Sequence, residues 1–295
     1  MPSKLKQQNH RYSFEAIGTK WSIDLLATKN NASLAINAIH ATIEQFDKNY
    51  SRFRSDSLIT KISRAAGDYV MPADFSDLYY FYQKMYDVSN GLVTPLIGDV
   101  LSAAGYDAAY SFKSSPMTKA PAWEDVLSYN PPLLSVKTAV LLDFGAAGKG
   151  YLVDIVVNVC EEKGIESFVI DAGGDIYCHG VTEQIGLENP DNLSEVVGIV
   201  DVRNQAICAS AGNKRKWANF NHIMNPKTLS SPSAIKAVWT IADNAMLADG
   251  MSTCLFFVEP EALSEAFKFD YLLIKADNTT KQSKTFKGDI FYQEA

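Results

Sequence analysis

Two β-rich runs in this chain stop at glycine and then resume. RYSFEAIGTKWSIDLLA (11–27) breaks at Gly18, and ESFVIDAGGDIYCHG (166–180) breaks at Gly173-Gly174. A third run, EVVGIVDVRNQAICAS (195–210), reads as a hairpin turning at Arg203-Asn204. Short turns can join only antiparallel neighbours, because parallel strands need a crossover of a dozen residues or more. Strands also alternate with helical patterns. The combination predicts an α+β layer architecture over a doubly wound parallel sheet.

The helical segments follow from periodicity. Ala35, Ile39, Ile43, Phe46 and Tyr50 recur at helical spacing, with Asn31 or Ser33 placed to cap the start. A second helix is expected over 74–89, capped by Asp74, with Leu78, Phe81, Tyr82 and Met85 inward. GKGYLVDIVVNVCEEKG (148–164) reads as a third, with Leu152, Ile155, Val156 and Val159 inward and Gly164 ending it. TAVLLDF (138–144), AVWTIA (237–242) and DYLLIKA (270–276) read as strands, and 260–269 as a helix. Residues 107–133, rich in Pro and Ser, read as a long irregular connection. With 295 residues, 47% of them hydrophobic, the chain can bury a sizeable core. We expect a single domain over 1–295 with a tail of about ten residues and possible internal halves meeting near 107–133.

A net charge of −7 argues against a general nucleic-acid surface. The densest basic run, NKRKW (213–217), reads as a solvated loop. Cys160, Cys178, Cys208 and Cys254 have no CxxC spacing and read as buried thiols. No apolar run reaches membrane-spanning length. The start has no apolar leader core, so the chain as given reads as cytoplasmic, with an exported or lipid-anchored form whose leader has been removed as the alternative.

Four segments carry chemistry. LLDFGAAGKGYLVD (141–154) places small residues and Lys149 at a helix start, where backbone N–H groups and the helix dipole favour an anion. It matches neither the Walker A nor the GxGxxG spacing, so a tight strand–helix turn with a solvent lysine is an equal reading. VIDAGGDI (169–176) lets a backbone or ligand come close at Gly173-Gly174, or is simply a turn closed by Asp175. NHIMNPKTL (221–229) holds His222 beside an Asn-Pro turn. In LADGMST (247–253), Asp249 and Thr253 fall one helical turn apart, as two oxygen ligands or as a cap.

Taken in order, these segments resemble the ApbE family, the FAD:protein FMN transferases. DFGAAGKGYLVD fits the family pattern with Asp143, Ala146, Lys149 and Asp154. The turn before Asp175, NHIMNPKTL and LADGMST stand where the family has its GGD, HHIIDP and ADALST motifs. IGTKW (17–21), YSRFRSDSLITKIS (50–63) and GLVTPLIG (91–98) match earlier motifs more loosely, so the similarity runs from about Ile17 to about Leu255. The departures are Thr94 for a family aspartate, Asn225 for another, Leu229 for a glycine, and Ala209-Ser210-Ala211 for a Thr-Ser-Gly triplet.

The resemblance implies a T-fold-like α+β architecture of two related α/β halves. It implies Mg²⁺ held by Asp249, Thr253 and the Ala146 carbonyl, with FAD as substrate. Lys149 and Asp143 are expected at the FAD phosphates and flavin or ribose, and Ile17, Phe53, Leu92, Val93, Thr94 and Ile223 along the walls. The implied reaction moves FMN to a threonine hydroxyl of an acceptor flavoprotein and releases AMP. His222 is the expected base and Asp249 the fallback, since a metal-bound carboxylate is a poor base. An Mg²⁺-dependent FAD pyrophosphatase and a catalytically reduced FAD-binding protein are the alternatives, and an interaction domain without flavin is the simplest rival.

Overall fold

The computed structural model describes residues 7–291. In chain order, the first half runs β1 (Gln8–Ala16), β2 (Thr19–Ala27), α1 (Lys29–Tyr50), α2 (Leu58–Ile62), β3 (Gly67–Val70), α3 (Phe75–Val88), α4 (Gly98–Ala103), α5 (Trp123–Val126), β4 (Leu127–Asn130) and β5 (Leu133–Val136). There follow α6 (Gly148–Glu162), β6 (Phe168–Ala172), β7 (Asp175–Glu188), β8 (Val196–Ala211), β9 (Lys216–Trp217), β10 (Phe220–Asn221), β11 (Ile235–Ala242), α7 (Ala245–Cys254), α8 (Pro260–Ala266), β12 (Asp270–Lys275), β13 (Thr280–Gln282) and β14 (Gly288–Ile290). Most of the expected tail lies outside the described residues, and β1 begins at Gln8.

The main sheet runs β1-β2-β6-β7-β8-β11-β12-β13, with β14 also on β8, and every pairing is antiparallel. The α+β expectation therefore holds. Alternation along the strands separates two cores. Val238 and Leu273 face the layer formed by α1, α6 and α7, while Trp239 and Leu272 face the opposite side with Val200 and Phe286. A smaller three-stranded sheet, β3-β5-β4, is separate from the main one.

Two hairpin tips meet at one end of the sheet. Ala16 pairs with Thr19, so Ile17 and Gly18 form a two-residue turn with φ of 44° and 73°. Both values suit the twist of a hairpin, but a β-branched residue there is strained by about 1–3 kcal/mol. At the β6–β7 tip, Gly173 has φ of 72°, and a Cβ on it would overlap the Thr19 hydroxyl. The glycine turn thus packs directly against the first hairpin.

Several expectations need correction. Residues 196–211 are one continuous strand, and its hairpin loop to β7 lies at residues 189–195 instead of at Arg203-Asn204. Asn204 has φ of 50° and accepts the Gly180 N–H at 2.8 Å, where the β7–β8 register slips, so the pair marks a bulge. TAVLLDF has no ladder partner and is not a strand. Its Leu141 N–H donates to Asp99 Oδ2 at 3.0 Å and its Asp143 N–H to the Pro95 carbonyl at 2.8 Å. The α1 cap is Thr28, whose hydroxyl accepts the Asn31 N–H at 3.3 Å, so the helix starts earlier than Asn31 or Ser33 would set it. Asp74 makes no cap bond and accepts the Tyr50 hydroxyl at 2.8 Å instead. The buried face of α6 is Leu152, Val153, Val156, Val157 and Cys160, with Ile155 and Val159 half-buried at its edge. Within 107–133, residues of α5 and β4 are regular.

The stripe of α1 is buried as expected, Gly164 ends α6 with φ of 67°, and the four cysteines are free and buried. Among the described residues no helix is long and apolar enough to cross a membrane.

α6 packs directly on α7. A Cβ on Gly150 would overlap the Ala245 carbonyl and press on the Asp249 side chain. Gly150→Ala must therefore push the helices apart, and it should lower unfolding free energy by about 1–3 kcal/mol, read as a lower urea midpoint at unchanged m-value.

Candidate active site at the α6–α7 junction

The α6 N-terminus, the β6–β7 turn, α7 and the segment after β10 converge on a cavity of about 180 Å³. Its lining includes Phe53, Leu92, Val93, Thr94, Asp143, Ala146, Lys149, His222, Ile223, Asp249 and Thr253, all singled out from the sequence. Ile17 lies apart from these, in a larger adjoining cavity of about 570 Å³. The two cavities share Phe53, Tyr106, Asp143, Gly145, Lys149 and Arg215.

Asp249 is held by α6. Its Oδ2 accepts the Gly150 N–H at 2.8 Å, in the first turn of that helix, where the dipole favours negative charge. Its Oδ1 accepts no hydrogen bond among the described residues. Burial raises the Asp249 pKa, while the Lys149 charge and the Gly150 N–H oppose that shift. One turn later the Thr253 hydroxyl lies 3.4 Å from the Ala146 carbonyl oxygen. A carboxylate, a hydroxyl and a main-chain carbonyl thus border one cavity. All three are hard oxygen donors, the set that suits Mg²⁺ or another hard cation.

The helix N-terminus is less open to an outside anion than the sequence suggests. The Ala147 N–H donates to the Tyr82 hydroxyl at 3.0 Å, the Gly148 N–H to the Phe144 carbonyl at 2.7 Å, and Gly150 serves Asp249. The Lys149 ammonium pairs with Asp175, itself 1% exposed. Asp143 is also engaged: Arg52 Nε donates to one oxygen and the Gly145 N–H to the other at 2.7 Å. That Arg52 lies over the Phe53 ring, 4.2 Å from its centroid, and donates to the Tyr106 carbonyl at 2.7 Å.

His222 Nδ1 lies 3.1 Å from the Lys214 carbonyl. A carbonyl can only accept, so Nδ1 carries the proton and Nε2 keeps its lone pair. Burial, and next the nearby Arg215 charge, lower the His222 pKa to about 4. The imidazole is therefore neutral near pH 7. Its segment is fixed by Asn221, whose Oδ1 accepts the Ile223 N–H at 2.8 Å.

The departures from the family pattern keep local jobs. Asn225 Oδ1 accepts the N–H groups of Lys227 and Thr228 at 2.9 and 3.0 Å, as an aspartate could. Leu229 takes φ of 60°, where glycine would be unstrained. Thr94, 5% exposed, caps the Leu96 N–H at 3.2 Å. Ser210 exchanges a hydrogen bond with Ser252 of α7 at 2.8 Å.

Sequence reading missed Arg52, Tyr106, Tyr110 and Arg215. Phe53 and Tyr110 stack in parallel at 5.2 Å, and Arg215 Nη1 donates to the Tyr106 hydroxyl at 3.2 Å. Residues 213–216 are exposed, as the solvated-loop reading expects, but Lys214 and Arg215 also line the cavity, which nothing in NKRKW signals. Asp154 was matched to the pattern without a role. Its two oxygens accept the Ala245 and Met246 N–H groups at 2.7 and 2.8 Å, which caps α7 from α6.

An antiparallel sheet under a helix layer, with oxygen donors and paired cations around one cavity at the α6–α7 junction, defines the class: an α+β protein with a polar cavity where two helices cross. The ApbE family model matches residues 17–272, and the chain belongs to that family. The FAD:protein FMN transferase of Haemophilus influenzae is 25% identical over 282 residues, which cover 84% of this chain and 81% of that protein. The solved ApbE protein of Thermotoga maritima superposes with a TM-score of 0.84 at 20% identity, over 94% of this chain and 98% of that one. The flavin transferase ApbE from Vibrio cholerae superposes at 0.80 with 19% identity, over 95% and 98%. At these identities the two structures establish the fold.

Burial raises the Asp154 pKa from 3.8 to about 6 against the pull of its two N–H donors. A raised carboxyl pKa contributes stability below the unfolded value, and that contribution is lost as pH rises from about 4 through about 6. Asp154→Asn leaves one N–H of α7 without an acceptor. It should cost about 1–2 kcal/mol at pH 7 and flatten that part of the stability–pH curve, measured by urea titration at pH 4.5 and 7.

Proposed function

We propose that this protein transfers the FMN moiety of FAD to a threonine hydroxyl of an acceptor flavoprotein, with Mg²⁺ held by Asp249, Thr253 and the Ala146 carbonyl. The observation that carries this reading is the meeting of those three oxygens, Lys149 and a neutral His222 around one cavity. Family membership supports the same activity. The donor set fits the ion: one carboxylate with an oxygen to spare, one hydroxyl and one carbonyl leave room for phosphate oxygens and water. Bound there, Mg²⁺ would supply Lewis acidity and a template for the diphosphate.

The chain's own groups do the rest. His222 Nε2 takes the proton from the threonine hydroxyl, with its ring orientation set by the Lys214 carbonyl. The threonine oxygen attacks the FMN-side phosphorus. The bond from that phosphorus to the bridging oxygen breaks, and the electron pair leaves with AMP. FMN stays attached through a phosphoester. Leu92, Val93 and Ile223 in the smaller cavity, and Phe53 where the two cavities join, give apolar walls suited to hold a flavin and exclude water, with Thr94 beside them.

Mass spectrometry of a threonine-bearing acceptor peptide after incubation with FAD and Mg²⁺ should show the mass of FMN added, with one AMP released per modified peptide. AMP release at full rate without the peptide would identify a pyrophosphatase instead. Asp249→Asn keeps an acceptor for the Gly150 N–H, so it should retain the wild-type melting transition while abolishing Mg²⁺ binding by calorimetry and AMP release. His222→Gln should lower turnover about 10²-fold or more. Because the ring protonates only near pH 4, the acid limb that His222 sets should fall near pH 4 and be absent in the variant.

A further inference from the structure

Seven side chains that line the two cavities can carry positive charge: Arg52, Arg54, Lys149, Lys214, Arg215, Lys216 and His222. Most are already committed. Arg52 pairs with Asp143, Lys149 with Asp175, Arg54 with Asp47 and Asp56, and Lys214 with Glu188 at 3.3 Å. His222 is neutral near pH 7. Arg215 and Lys216 have no carboxylate within 4.0 Å among the described residues, and Lys216 borders only the larger cavity. Arg215 alone is both without an acidic partner and shared by the two cavities.

Its position is built. Arg215 sits in a short loop between β8 and β9 with φ of 49°, a left-handed conformation that costs an arginine about 1–2 kcal/mol. The Tyr106 hydroxyl accepts from its Nη1 at 3.2 Å, and the Tyr106 ring packs against Trp217, two residues beyond, at 5.4 Å. The guanidinium has further N–H groups free for planar, bidentate contact with phosphate oxygens. Its charge also reaches the chemistry, since it depresses the His222 pKa.

We propose that Arg215 is a catalytic residue that clamps the FAD diphosphate at the junction of the two cavities and neutralises the charge that grows on the departing AMP phosphate. This inference rests on the flavin-transfer reading above. It assigns to a loop arginine the cationic role that the sequence assigned to Lys149, whose ammonium already faces Asp175.

The test uses the full chain, with Arg215→Gln and Arg215→Lys, and two probes read by flavin fluorescence: FAD, which carries the diphosphate, and riboflavin, which has no phosphate. Arg215→Gln should weaken FAD binding about tenfold and leave riboflavin binding unchanged, with AMP release slowed about 10²-fold at saturating FAD. Arg215→Lys should recover most of the affinity but little of the rate, since an ammonium cannot make the forked contact. Equal weakening for both probes, or FAD turnover at the wild-type rate in Arg215→Gln, overturns the clamp. If wild-type protein binds FAD in an Arg215-dependent manner yet modifies no threonine peptide and releases no AMP, the transfer reading fails, and so does the catalytic part of the clamp. If wild-type protein binds no FAD, both fail.

Discussion

Two carboxylates held by backbone N–H groups lock α6 against α7, and the site depends on that lock. Asp154 of α6 accepts the first two N–H groups of α7, and Gly150 of α6 donates to Asp249 of α7. The bonds run in both directions across one crossing, and the absent side chain of Gly150 permits the approach. Burying a carboxylate is costly unless its oxygens are satisfied. Here the helix termini supply the donors, so the acid of α7 is fixed at the start of α6, one turn from Thr253 and beside the turn that presents Ala146.

The same economy governs the rest of the cavity. The chain has a net charge of −7, yet the cavity has a local cationic wall. Arg52 and Lys149 enter it only with Asp143 and Asp175 as partners, and such pairs fix geometry more than they add attraction for a ligand. Asp143 also anchors the turn through the Gly145 N–H, so the Arg52 contact reaches the Ala146 carbonyl through three residues of backbone. What remains without an acidic partner at the junction of the two cavities, among the described residues, is the loop arginine Arg215, which borders the smaller cavity together with Ala146, Asp249 and Thr253.

The sequence was most legible where one local rule was enough. Gly18 and Gly173 marked real turns because positive φ favours glycine, and the spacing of Ala35 through Tyr50 marked a real helix face. It misled where a tertiary partner replaced the local one. Arg203-Asn204 looks like a turn, but Gly180 on the neighbouring strand completes a bulge there. Residues 138–144 have a strand's apolar composition, yet Asp99 and Pro95 take the Leu141 and Asp143 N–H groups.

The order of its motifs, with the resemblance they carry, determined the family, the α+β class and half of the residues that line the smaller cavity, because those residues are tied to turns and helix starts that the chain writes locally. The tertiary structure alone decided which charges are free. Lys149 and Asp175 are 26 positions apart in sequence, and Arg52 and Asp143 are 91 apart. No local pattern can show that such groups neutralise each other, because the pairing exists only once the sheet and its helices bring them into contact.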